Sequence, residues 1–109
     1  MLLAGLVVAS LCFWPLPLKL ETHVVKDLSD TLLQAWQVAW SGHALLSRPW
    51  ELWNSNTFFP APLTYAYSDT LLGYAPAGMI GSGMEAAVLR YNLLYVLAHA
   101  LAFVGAYAL

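Results

Sequence analysis

The sequence predicts an all-α integral membrane protein, with two transmembrane helices joined by a long loop that carries short amphipathic interfacial helices. Three observations predict it. Of 109 residues, 61% are hydrophobic and 9% charged, where soluble domains carry about 25% charged residues. Two apolar runs, residues 1–18 and 86–109, flank the chain. Residues 19–85 between them are rich in Trp, Tyr, Pro and polar side chains, too broken for a membrane helix and too aromatic for a solvated linker. The mean hydropathy of +0.65 agrees.

Residues 1–18 are apolar apart from Ser10, with Pro15 and Pro17 near the end. A bilayer span takes about 20 apolar residues, so this run predicts the first transmembrane helix. A secretory signal peptide is the rival reading. It wants a basic leader and a small-x-small cleavage site, and neither stands out. Cys12 is the single cysteine, so no intrachain disulfide forms. The start "MLLAGLVVAS" has no basic cap, and "LAHALAFVGAYAL" at the other end has no flanking charge. Both features lead us to expect the N-terminal piece of a longer polytopic protein.

Charges then cluster at Lys19, Glu21, His23, Lys26, Asp27 and Asp30, marking the exit into water. Residues 31–46 predict a helix, with Leu32, Ala35, Trp36 and Ala39 at 3/4 spacing. Ser29 or Asp30 would cap it by accepting a bond from a free amide. It is too short and polar to span, and Trp36 and Trp40, one turn apart, suit a helix lying at the membrane surface. Pro49 opens a short helix over about 49–54 with Trp50, Leu52 and Trp53. Pro60 and Pro62 then forbid a regular helix. A third short helix is expected over 69–82, capped by Ser68 or Asp69. Residues 86–109 predict the next span, interrupted by Arg90, Asn92 and His99, with Arg90 near enough to its start to reach the interface.

Four basic and six acidic residues leave a net charge of −2 and no basic patch, which argues against nucleic acid as a partner. Phosphate-binding glycine loops, zinc-spaced Cys/His clusters and nucleophile elbows are absent from the sequence. Asp27 and Asp30, three apart, present either a general base or hard-cation ligand pair, or simple capping at a helix dipole. Asp69 has the same two readings. His43 reads as interfacial or packed, and His99 as bonded to a neighbouring helix or as an intramembrane functional group. Arg48 and Arg90 suit a phosphate, or Arg48 a solvated surface. The Trp and Tyr side chains suit interface anchoring or sugar stacking.

The order of the loop is more specific than its parts. Asp30 opens "DTLLQAWQVAWSGHALLSRP", followed by "LWNSNTFFPAPLTYAYSDTLLG" and "RYNLLYVLAHALAFVGAYAL". This order resembles bacterial polytopic membrane proteins of the GT-C glycosyltransferase class. These show an Asp six residues ahead of a Trp, then His-Ala-Leu, Asn-x-Phe-x-Pro, Tyr-Ser-Asp/Glu-x-x-Leu-Gly and Tyr-Asn. The match covers residues 28–109, about three quarters of the chain.

The resemblance implies a multi-pass protein of the bacterial inner (plasma) membrane that takes a sugar from a polyprenyl-phosphate carrier on the outer face. Loop 19–85 would then be extracytoplasmic, and the remaining helices of the full-length chain would be needed. It implies catalytic roles for Asp30 and Asp69, with Asp27 ranked below them. Arg48, Trp36 and Tyr67 would be the substrate-binding residues. Asp30 would activate the acceptor or bind a divalent cation, Mg or Mn. The family often has Gly or Pro beside the first Asp, and here Ser29 and Thr31 stand there. The alternatives are a transporter or channel module using His99 and Arg90, and a non-catalytic membrane protein whose loop binds a partner.

Overall fold

The computed structural model describes residues 1–25 and 27–109. All regular structure among them is helical. The α-helices are α1 (Leu2–Cys12), α2 (Ser29–Ser47), α3 (Ala75–Gly78) and α4 (Gly83–Ala108). Four 3-10 turns, Leu16–Leu18, Pro49–Glu51, Thr64–Tyr67 and Leu72–Tyr74, punctuate the connections.

α4 is the one described helix long and apolar enough to cross a membrane, at 26 residues. The expected first span is cut short. Pro15 cannot donate to Leu11, its ring crowds that carbonyl, and it keeps Trp14 out of the helical region. α1 therefore stops at Cys12 after 11 residues. At about 1.5 Å per residue that is roughly half the ~30 Å hydrocarbon layer.

α1 runs antiparallel along α4. Gly5 faces Ala100, and Phe13 packs edge-on against Tyr95 and His99, at 4.9 and 4.7 Å between ring centres. A Cβ on Gly5 would lie 2.7 Å from the Ala100 carbonyl oxygen, so only glycine allows this approach. Gly5 and Ala9 are one turn apart and both buried. Small residues at this spacing let apolar helices approach closely enough for dispersion to hold them. Leu93, Leu97 and Leu101 form an exposed stripe along α4.

α2 packs against α4 and α3. Its glycine, Gly42, lies against Gly78 of α3, and a Cβ on either would collide with the other segment's backbone. Nearer its start, Gln34 Oε1 accepts a 2.8 Å bond from Tyr91 of α4. α2 matches the expected 31–46 closely because its apolar spacing is regular.

The helix expected over 69–82 breaks into the 3-10 turn Leu72–Tyr74 and the single turn of α3. Leu71 takes a left-handed φ of 48°, which ends any helix running from residue 69. The 49–54 helix is likewise one 3-10 turn, Pro49–Glu51, continued by Leu52.

Gly42→Ala should destabilise the chain by about 3 kcal/mol, since the new methyl meets backbone that cannot yield. Gly73, with nothing within 4 Å of its Cβ direction, is the control. Thermal unfolding in detergent checks this, and an unchanged midpoint for Gly42→Ala would contradict the packing.

Candidate functional site

The site is built around the start of α2. Sequence reasoning expects Ser29 or Asp30 as the cap, but the helix begins at Ser29 and both lie inside its first turn. A residue already in helical conformation cannot turn back to cap its own amides. Asp27 does it instead. Its Oδ1 accepts from the amides of Ser29 and Asp30, at 3.1 and 3.3 Å, and from the Ser29 hydroxyl at 3.0 Å. Thr31 is buried and donates its hydroxyl to the Val25 carbonyl at 3.1 Å, fixing how the chain enters the helix.

Asp30 is left exposed in the first turn, at the positive end of the helix dipole. No side chain among the described residues bonds its carboxylate. Downstream on the same face come Gln34, Gln37 and Ser41, at spacings of four, seven and eleven residues from Asp30. Gln34 meets Tyr91, while Gln37 is 1% exposed and donates its Nε2 to Ser68 Oγ at 2.9 Å. Its Oε1 is buried without a hydrogen-bond partner among the described residues.

Asp69 follows Ser68 and is exposed. It caps nothing, because the next helical turn starts behind Leu71 and carries no side-chain cap. The Gln37–Ser68 bond sets Asp69 beside the middle of α2, seven residues beyond Asp30, or about 10 Å along the axis at ~1.5 Å per residue. Among the described residues, no group of three His, Cys, Asp or Glu side chains converges to hold a metal. A divalent cation takes about six or more oxygens, and Asp30 alone does not supply that set.

Trp36 stacks on Trp40 at 6.5 Å, meets Tyr65 edge-on at 6.0 Å and donates its indole N–H to Asn56 Oδ1 at 3.2 Å. Trp40 donates to the Leu52 carbonyl at 2.9 Å. Tyr67 is 82% exposed. Arg48, also exposed, pairs with Glu51 at 3.2 Å.

Arg90 reaches back past the start of α4. Its guanidinium folds back and donates to the carbonyls of Ile80 and Gly81, closing the end of α3. His99 Nδ1 lies 2.8 Å from the Tyr95 carbonyl oxygen one turn back, so the ring is held by its own helix. His43 Nε2 is 3.5 Å from the Ser47 hydroxyl.

Two buried residues went unassigned at the sequence level. Tyr65 is 1% exposed and its hydroxyl reaches the carbonyls of Gln37 and Thr70. Asn92 is fully buried and donates to the carbonyls of Leu20 and His23, each at 2.7 Å. The signal for Asn92 was present, as a polar break in an apolar helix. Tyr65, among so many aromatic residues, carried none.

Comparison with protein-family models, curated proteins and solved structures gave no match. The residues of this chain alone therefore carry the functional reading.

Burial raises the Tyr65 phenol above its ordinary value near 10, opposed in part by a bond with the Ser41 hydroxyl. The folded state then holds this proton more tightly than the unfolded chain. The resulting stability is complete below the unfolded pKa and is lost as pH rises through the folded one. Tyr65→Phe should lower stability by about 1 kcal/mol near neutral pH and flatten the loss at alkaline pH. Denaturation midpoints of both chains across that pH window check it.

Proposed function

We propose that the chain supplies the first external loop, with its flanking helices, of a bacterial inner-membrane glycosyltransferase of the GT-C class. It would move a sugar from a polyprenyl-phosphate donor at the outer face of the membrane. The observation that carries this reading is the state of Asp30. It is an exposed carboxylate at a helix start whose capping is already met by Asp27. A carboxylate not needed for the fold is available for chemistry.

The setting supports the reading. In this reading α4 crosses the bilayer, and α1, too short to span it alone, lies along α4. α2 packs against α4. The loop exposes Trp50, Phe58, Phe59 and Tyr67 at 76, 82, 95 and 82%. Such aromatic side chains settle at the headgroup level, where a lipid-linked donor keeps its sugar-phosphate.

In this reading Asp30 is the general base. It takes the proton of the acceptor hydroxyl as that oxygen attacks the anomeric carbon. The bond from that carbon to the phosphate oxygen breaks, and polyprenyl phosphate leaves with the electron pair. Asp69, Arg48, Trp36 and Tyr67 are the flanking residues that the same reading assigns to the donor and acceptor.

Asp30→Asn in the full-length protein should lower sugar transfer from a polyprenyl-phosphate donor by about 100-fold or more, with expression unchanged. Asp27→Asn keeps an oxygen to accept the capping bonds and should keep transfer. Retained transfer in Asp30→Asn would sink the assignment.

A further inference from the structure

We propose that the cleft below the end of α1 binds the phosphate headgroup of an anionic membrane lipid. This inference does not rest on glycosyl transfer. The cleft holds about 280 Å³, walled on one side by Phe13, Trp14 and Leu16 and on the other by Lys19, His23 and Val25. The amide of His23 donates to the Lys19 carbonyl at 3.0 Å, closing one helical turn. Both basic side chains therefore border the same opening. The Thr22 hydroxyl lies 2.9 Å from His23 Nδ1 and steadies the ring.

Neither Lys19 nor His23 forms an ion pair with a carboxylate among the described residues, although Glu21 lies on the same turn. Lys19 is exposed, in a chain with only four Lys and Arg residues in all.

The other wall continues into the apolar helix pair, because Phe13 packs on Tyr95 and His99 of α4. Leu11, Trp14 and Leu18 stand exposed around it, at 67, 63 and 68%. The cleft thus joins a cationic rim to an apolar surface at the end of α1, which this proposal sets at the edge of the bilayer. An amphiphile matches both halves, with phosphate at Lys19 and His23 and its acyl chain along Trp14 and α1. A soluble phosphate would leave the apolar half unused. A basic side chain at this depth favours an anionic over a zwitterionic headgroup by about fivefold.

The test uses the full chain in bilayers of phosphatidylglycerol and phosphatidylcholine at one fixed composition. Bromine is placed on the tails of one lipid or the other. Trp14 quenching is read as the difference between the chain and Trp14→Phe, which removes the signal of the other four tryptophans. Quenching should be stronger when phosphatidylglycerol carries the bromine. Lys19→Gln should reduce that preference about fivefold, and Lys19→Arg should keep it. Equal quenching by the two lipids, or a preference unchanged in Lys19→Gln, would overturn the proposal. So would loss of the preference on adding inorganic phosphate, which would assign the cleft to a soluble anion.

Discussion

The rest of the loop hangs on one buried phenol. The Tyr65 hydroxyl bonds the carbonyls of Gln37 and Thr70, its amide donates to the Trp53 carbonyl at 3.1 Å, and its ring lies against Trp36 and Trp53. The segment from 48 to 82 is mostly irregular, so its backbone groups lack the ladders that a helix or sheet would give them. Buried polar backbone without a partner is costly. Tyr65 meets that cost at one point and ties three stretches of the chain together. Asn54 and Ser55 close the remainder. Asn54 Oδ1 accepts from the Leu63 amide at 2.9 Å, and the Ser55 hydroxyl meets those of Thr57 and Thr64 at 2.8 and 2.7 Å. Phe58 and Phe59 are left exposed between these bonds.

The helices are joined by a different device. α1 and α4 are apolar around most of their surface, so hydrophobic contact alone singles out no one face. Close backbone approach and buried polar clasps must then fix the geometry. Gly5 on Ala100 and Gly42 on Gly78 supply the first. Asn92, reaching Leu20 and His23, supplies the second, and Arg90 adds a more exposed clasp to Ile80 and Gly81. These clasps also set the site. Asn92 holds the strand of loop that leads into α2, Asp27 caps the helix, and Asp30 keeps its carboxylate in water.

The local elements were legible in the sequence. Apolar spacing determined α2 and α4 to within three residues, and the clustered charges located the exit from the apolar run. Local chemistry also explains the misses. Pro15 was visible, yet the greasy run around it suggested a helix through residue 18, where the ring's effect on Leu11 ends α1 at Cys12. Between 69 and 82 the expected cap residues were present, but Leu71 turns left-handed and the helix never starts.

What the sequence by itself determined is therefore composition, period and the position of breakers, all of which act within a few residues. Only the tertiary structure decided which Asp caps and which stays exposed, where Trp36 is bonded, and what Arg90 holds. Those outcomes depend on partners far along the chain, 28 residues from Tyr65 to Gln37 and 72 from Asn92 to Leu20. A hydrogen bond forms with whichever group the packing brings within 3 Å, and no local pattern of residue types encodes that meeting.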